Sequence, residues 1–201
     1  MKSIKGEVKN EIVIEKSRFI TYLFNVDSSQ KAKDLIQELR KAHSEANHVV
    51  YAYILENDSR SNDNNEPKGT AGLPTLEVLR KENLINVLAV TVRYFGGIKL
   101  GASGLLRAYT KGVSEALKLA NFTTLKESIS FELSITYKDS FFLEKHLDNL
   151  ISVEKSYSDK VKYNITILKE LYPNFKELFI NFDDKYDLVL IKEEKLFVWK
   201  K

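Results

Sequence analysis

One segment constrains the fold most, because its pattern changes from strand to glycine loop to helix. Residues 86–95 are apolar and rich in β-branched side chains, which predicts a buried strand. Gly96 and Gly97 then permit a sharp reversal, since glycine reaches positive φ at no steric cost. Beyond Ser103, the predicted N-cap, the apolar period becomes helical and ends before Asn121. The predicted buried face of this helix consists of Leu106, Tyr109, Val113, Ala116, Leu117 and Ala120.

Such a strand–glycine loop–helix unit is a natural anion site, because free backbone N–H groups and the positive end of the helix dipole meet at the loop. From residue 83 to residue 114 there is no Asp or Glu. A complete P-loop is absent, because Ala102 stands where the phosphate-binding lysine is needed. The alternative, that the glycines only allow strand and helix to pack closely, stays open. The cations of this acid-free segment are Arg93, Lys99, Arg107 and Lys111.

A second glycine loop lies at residues 66–74 and leads into a short predicted helix over residues 75–82. It follows a polar stretch, residues 56–65, that predicts an exposed loop. If the two glycine loops converge in the fold, their cations would surround one phosphate-type anion. The alternative is that each cation pairs with a surface carboxylate, which contributes little to stability. The predicted anion- or nucleic-acid-binding residues are Arg18, Lys68, Gly69, Thr70, Arg93, Gly96, Gly97, Lys99, Gly101, Ser103 and Arg107.

Two side chains near the glycine loops are candidates for acid–base chemistry. His48 begins the third predicted strand, and Glu66 opens the second glycine loop. The alternative for His48 is a strand-end histidine hydrogen-bonded to the backbone, since no Ser or Cys nucleophile is paired with it. Glu66 and Asp63 could bind Mg²⁺ together with a phosphate, or could cap turns and helix N-termini. We assign no catalytic residue and predict no metal site and no cofactor.

The distribution of charge places a polyanionic partner on the first part of the chain. The net charge of +3 is weak evidence by itself. Residues 1–127 carry 19 Lys and Arg against 15 Asp and Glu, whereas residues 128–201 carry 12 against 13. Tyr94, Phe95 and Tyr109 in the first part could stack on nucleic-acid bases, although such spacings are more typical of core residues.

Several absences favour a cytoplasmic protein with no membrane partner. No apolar run approaches the length of a membrane span, and the first residues lack the apolar core of a signal peptide. The sequence contains no cysteine, so it forms neither disulfides nor thiolate sites.

The element pattern predicts two α+β domains, residues 1–127 and residues 128–201. The first alternates strands and helices over one sheet, with a first helix capped by Asp27 or Ser28. The second has the order β-α-β-β-α-β of a ferredoxin-like unit, with a helix capped by Ser140. No strand of the second domain carries the aromatic pattern of an RNA-recognition motif. The predicted strands span residues 8–14, 19–26, 48–55, 86–95, 129–137, 153–157, 161–168, 188–191 and 196–199.

Four motifs resemble sequences typical of the YigZ/IMPACT family. Residues 66–74 read E-P-K-G-T-A-G-L-P, and residues 93–109 read R-Y-F-G-G-I-K-L-G-A-S-G-L-L-R-A-Y. Residues 16–20, K-S-R-F-I, and the pattern of residues 46–52 also match. The resemblance covers about the first two-thirds of the chain. The chain departs from the family pattern at Val50, Asn65 and Ser103, where cysteine, glycine and glycine are common.

The resemblance implies both a fold and a function. The first domain is expected to be an α/β sandwich like ribosomal protein S-five domain two, with its left-handed β-α-β connection. The second is expected to be a ferredoxin-like α/β sandwich similar to domains of elongation factor G. Because eukaryotic relatives regulate translation through a kinase-activation pathway, the leading prediction is a module that binds RNA or the ribosome and influences translation. The alternatives are an enzyme acting on a small phosphorylated substrate in the glycine-loop pocket, and a protein-interaction adaptor.

Overall fold

The computed structural model describes residues 1–148, 150–182 and 186–198. The chain divides into two compact units, Met1–Thr124 and Leu125–Lys201, and each has its own hydrophobic core. The architecture is therefore two-domain α+β, as predicted, whereas the exact boundary after residue 127 stays a prediction. No helix among the described residues is long and apolar enough to cross a membrane.

The sheet of the first unit is antiparallel. Its strands are β2 (Glu7–Ile14), β3 (Ser17–Asn25), β4 (His48–Ile54), β5 (Ser59–Asn62) and β6 (Val87–Tyr94). Their order across the sheet is β2-β3-β6-β4-β5, so β6 is central and buried along most of its length, as its apolar sequence predicts. The predicted exposed loop after β4 is wrong in part. Its polar residues form β5, because main-chain pairing with β4 does not require apolar side chains.

Helices cover both faces of this sheet. α1 (Ser29–Ala42) packs on one face, and α2 (Gly72–Lys81) and α3 (Gly101–Lys118) pack on the other. Because successive strand residues point to opposite faces, Val92 packs on the α1 side, whereas Arg93 faces α3. The core under α2 and α3 includes Leu23, Leu79, Ala89, Val113, Ala116 and Leu117.

One predicted helix cap is confirmed in the first unit and one is wrong. Ser28 Oγ accepts a hydrogen bond from the Lys31 backbone N–H at 3.3 Å, so Ser28 is the N-cap of α1. α3 begins at Gly101, and Ser103 therefore lies inside the helix instead of capping it. Gly101, at the start of the helix, has a φ of 69°, which glycine adopts without strain.

The two ends of α3 also differ from the prediction. Leu105 is buried and Leu106 is 44% exposed, so the predicted burial of Leu106 is wrong. One position along a helix turns a side chain by about 100°, which is enough to move it from core to surface. At the other end, Leu119 is the C-cap of α3, so the helix ends one residue earlier than it would with Asn121 as the C′ residue. The carbonyl of Asn121 accepts a hydrogen bond from Lys5 N at 2.9 Å, beside an unpredicted short strand, β1 (Lys2–Ile4).

The second unit has the predicted β-α-β-β-α-β order. Its elements are β7 (Phe122–Ile135), α4 (Tyr137–Leu143), β8 (Ser152–Tyr157), β9 (Val161–Leu168), α5 (Tyr172–Glu177) and β10 (Asp187–Val198). The strand order β10-β7-β9-β8 is that of a ferredoxin-like unit. The alternating apolar residues of β7 and β9 point into its core, as their period of two predicts.

Two details of the second unit differ from the prediction. Thr136, not Ser140, is the N-cap of α4, and its hydroxyl accepts a hydrogen bond from the Asp139 backbone N–H at 3.2 Å. The sequence offers two capping hydroxyls one turn apart, and the earlier one is used. The closing strand, predicted as the two segments 188–191 and 196–199, is continuous in β10, and its predicted last residue, Trp199, lies outside the described residues.

Candidate functional site

Glu66 lies at the centre of a buried polar cluster in the first unit. Its Oε1 atom accepts hydrogen bonds from Arg93 Nη1 and from the Tyr109 hydroxyl, each at 2.7 Å. Arg93 belongs to β6 and Tyr109 to α3, and all three side chains are buried. A buried charge is tolerated when it is paired and hydrogen-bonded. The cluster connects the second glycine loop to β6, the strand that leads into the first glycine loop.

Aromatic rings surround the Arg93 guanidinium. Its Cζ atom lies 5.3 Å from the centre of the Phe19 ring and 5.5 Å from the centre of the Phe95 ring, within the range of cation–π attraction. Phe19 in turn meets Tyr109 edge-on, with 5.3 Å between ring centroids. Arg93 thus already has a carboxylate and two rings as partners within the protein. This arrangement gives it a structural role and lends no support to its predicted role as a free anion contact.

Burial governs the chemistry of Tyr109. Burial, and after it the charge of Glu66 and the hydrogen bond to that carboxylate, raises the pKa of the Tyr109 phenol far above its ordinary value. The phenol therefore keeps its proton at physiological pH and donates continuously to Glu66. A group in this state is a fixed donor and not a base.

Asp63 organises the second glycine loop. Its Oδ2 atom accepts the backbone N–H of Gly69 at 2.8 Å, and its Oδ1 atom accepts those of Gly72 at 2.7 Å and Ala71 at 3.0 Å. The carboxylate therefore holds the loop closed at the start of α2, and the capping alternative for Asp63 is confirmed. No cluster of three or more His, Cys, Asp or Glu that could hold a metal occurs among residues 1–148, 150–182 and 186–198.

His48 is the first residue of β4 and is partly buried. Its Nδ1 atom is 2.9 Å from the Asn64 carbonyl oxygen, and its Nε2 atom is 3.8 Å from Glu66 Oε1. The backbone-bonded alternative for His48 is therefore confirmed. An acid–base role for His48 and Glu66 stays a prediction, and the existing partners of both side chains do not favour it.

The first glycine loop packs directly against the turn between β2 and β3. A Cβ atom on Gly96 would lie only 2.0 Å from the carbonyl carbon of Lys16, so no other residue fits there without moving the backbone. Gly96 N also donates to Ser17 Oγ at 3.1 Å, and Phe95 N donates to Asn47 Oδ1 at 2.7 Å. Close packing, the alternative explanation for the glycines, is therefore correct for Gly96.

The remaining loop positions that were predicted to bind an anion differ in backbone conformation, hydrogen bonding and exposure. Gly69 and Gly97 have φ values of 78° and 87°, in the region that favours glycine. The Thr70 hydroxyl donates to the Pro67 carbonyl at 2.7 Å and the side chain is buried. Ser103 is exposed in the first turn of α3.

The predicted surface cations divide into paired and unpaired groups. Arg18 makes two hydrogen bonds with Glu11, Nε to Oε1 at 2.8 Å and Nη2 to Oε2 at 3.1 Å, so the surface-pair alternative is correct for Arg18. Lys68, Lys99 and Arg107 are exposed, and no carboxylate of the described residues lies within ion-pair distance of them. These three side chains remain available to an external partner.

The three aromatic residues considered for base stacking occupy different environments. Tyr109 is fully buried, and Tyr94 is half-buried with its hydroxyl 2.8 Å from His43 Nδ1. Phe95 is 45% exposed, next to the first glycine loop, and Ile98 in the same loop is also exposed. Phe95 is therefore the one of the three that presents substantial ring surface to solvent.

Comparison with known proteins identifies the family. The Impact N-terminal domain matches residues 15–117, which include both glycine loops and the Glu66–Arg93–Tyr109 cluster. The chain belongs to the IMPACT family. The resemblance expected from the motifs is therefore confirmed for the first unit.

Relatives and one solved structure extend this likeness. The IMPACT family member YvyE of Bacillus subtilis is 42% identical over 178 residues, covering 87% of this chain and 80% of the relative. YigZ of Escherichia coli is 42% identical over 110 residues, covering 52% of this chain and 54% of the relative. A crystal structure described as that of a hypothetical protein matches with a TM-score of 0.62 at 29% identity, covering 95% of this chain and 97% of the other. The likeness therefore extends over both units.

Proposed function

We propose that this protein is a binding module for RNA or the ribosome that takes part in the regulation of translation in the cytoplasm. The observation that carries the proposal is a set of exposed cations on the first glycine loop and α3 that have no carboxylate within ion-pair distance among the residues the structure describes. Lys99 lies in the loop, and Arg107 and Lys111 follow on the exposed side of the helix. Residues four apart on a helix are neighbours on its surface, so Arg107 and Lys111 form one short cationic row.

The form of this surface favours a polymeric anion over a small one. Lys99 lies in the loop and Arg107 and Lys111 lie on an open helix face, all in a segment without acids, whereas the nearby buried side chains of Glu66 and Arg93 pair with each other. Spread cations neutralise successive phosphates of a strand and release counterions on binding. Exposed Phe95 and Ile98 add apolar surface on which an unpaired base could stack. The link to translation is supported by membership in a family whose eukaryotic members regulate translation.

A protein-interaction adaptor is the second candidate, and one observation in the second unit favours it. Val189, Leu190 and Ile191 are consecutive exposed apolar residues of β10. Exposed apolar surface on an outer strand is a common docking feature. An enzyme is less well supported, because His48 and Glu66 already have structural partners.

The proposal is tested by measuring how Lys99→Ala binds labelled structured RNA and ribosomes over a series of salt concentrations. We expect weaker binding, and a slope of log affinity against log salt that is smaller by about one, because one phosphate contact is lost. The matched control is Lys33→Ala, which removes the same charge from α1 on the opposite face of the sheet. Arg93→Ala is unsuitable as a test, because it also removes the buried partner of Glu66.

Two outcomes would count against the proposal. Absence of RNA and ribosome binding by the wild type at low salt would exclude the polyanion function and leave the adaptor as the leading candidate. Equal loss of affinity in Lys99→Ala and Lys33→Ala would mean that binding follows overall charge and has no site on the glycine loop.

A further inference from the structure

The turn between β2 and β3 has a conformation that its sequence does not favour. Ile14 pairs with Ser17, so Glu15 and Lys16 form a two-residue loop, and their φ values are 46° and 61°. Two-residue hairpin loops with both central φ values positive strongly favour Asn-Gly or similar pairs. Glu and Lys carry a Cβ and long side chains, which the left-handed region disfavours.

The rest of the described chain follows the usual rule. The other non-glycine residues with positive φ among residues 1–148, 150–182 and 186–198 are all asparagines, the residue that tolerates this region best. Glu15 and Lys16 are therefore exceptions within this protein. Strained backbone positions of this kind are commonly kept where the side chain has a function. The other four are Asn64, Asn65, Asn83 and Asn86.

The turn is fixed beside the first glycine loop. The close approach of Gly96 to the Lys16 backbone and the hydrogen bond from Gly96 N to Ser17 Oγ hold the two segments together. The Lys16 side chain is exposed, and no carboxylate of the described residues lies within ion-pair distance of it. The strained turn thus presents a second lysine next to the loop that carries Lys99.

We propose that Lys16 contacts a phosphate group of the bound RNA, so that the binding surface combines the β2–β3 turn with the first glycine loop. This inference rests on the function proposed above and adds a residue that is not among those predicted from the sequence to bind an anion or nucleic acid. A lysine ammonium is a compact charge that suits contact with a single phosphate oxygen. Close packing at Gly96 would then contribute to binding, because it fixes the position of the Lys16 backbone relative to the first glycine loop.

The test compares Lys16→Asn with Glu15→Asn in the full chain, measuring RNA binding over a salt series and the unfolding temperature. Both variants place asparagine at a left-handed position, so both are expected to raise the unfolding temperature, by roughly 2–4 °C if the strain is fully relieved. RNA affinity is expected to separate them. Lys16→Asn weakens binding several-fold and lowers the salt slope by about one, whereas Glu15→Asn leaves binding equal or tighter.

Lys16→Arg provides the rescue, because it keeps the positive charge at the same backbone position and should keep most of the affinity. Unchanged RNA affinity and salt slope in Lys16→Asn, with Lys99→Ala still impaired, would overturn this inference and leave the proposed function standing. Equal impairment of Lys16→Arg and Lys16→Asn would also overturn it, since charge would then not be the cause. Failure of the wild type to bind RNA at low salt would instead remove the proposed function itself.

Discussion

At the scale of single residues, Glu66 is the side chain that joins the second glycine loop to both β6 and α3. It is buried, negatively charged and bonded at one oxygen to both Arg93 and Tyr109. Removing one partner of a buried ion pair leaves the other charge without compensation in a region that water does not reach. A substitution of Arg93 would therefore affect stability as well as any binding, so it cannot be used to test ligand binding alone.

We therefore predict that Glu66→Gln lowers the free energy of unfolding of the first unit by about 3–5 kcal/mol, measured by urea titration. The matched control is Glu77→Gln, which breaks a pair with Arg80 of similar length, 2.8 Å, whose side chains are about half exposed. That change is expected to cost less than about 1 kcal/mol. Similar effects of the two substitutions would contradict the central role assigned to the buried pair.

At the scale of elements, the first glycine loop and the β2–β3 turn act as one packed unit. Gly96 permits the contact, because a Cβ atom there would clash with backbone atoms of Lys16. Backbone cannot move aside as the flexible end of a side chain can. Gly97, its neighbour, has open space around its Cβ position and is constrained by its φ of 87° alone. Two adjacent glycines thus serve different physical purposes.

We predict that Gly96→Ala destabilises the protein by about 3 kcal/mol or more, at the upper end of the usual cost of overpacking, because backbone must move to make room. Gly97→Ala, affected only by its left-handed backbone, is expected to cost about 1–2 kcal/mol. Thermal or chemical unfolding of both variants gives the comparison. Gly96→Ala as stable as the wild type would show that the loop and the turn do not require their close contact.

At the scale of the whole molecule, the chain contains two units with separate cores. Leu79 is fully buried in the core of the first unit and Leu133 in that of the second. Truncating a fully buried leucine to alanine typically costs about 2–5 kcal/mol in the core that contains it. Such substitutions therefore report on each unit separately.

We predict that calorimetry of the full chain resolves two unfolding transitions. Leu79→Ala is expected to lower the midpoint temperature of one transition, and Leu133→Ala that of the other. This result would also establish two independently folding domains near the boundary expected from the sequence. A single transition lowered by both substitutions would mean that the two units unfold together.

The sequence by itself determined the features that depend on local physics. The apolar run of β6, the alternation of β7 and β9, the Ser28 cap of α1 and the order of elements in the second unit all follow from period, propensity and capping chemistry. The family was also determined, because its motifs are long and contiguous. A local signal also failed where two choices were nearly equal, because Thr136 and Ser140 are both capping residues one turn apart and Thr136 is the one used.

Only the tertiary structure decided what depends on contacts between distant segments. The pairing of Glu66 with Arg93 and the approach of Gly96 to Lys16 join residues far apart in the chain. The polar strand β5 likewise forms through main-chain pairing with β4 and leaves no apolar pattern to detect. The sequence gives the charge of each side chain. Only the fold determines which cations are neutralised internally and which, such as Lys99, remain available to a partner.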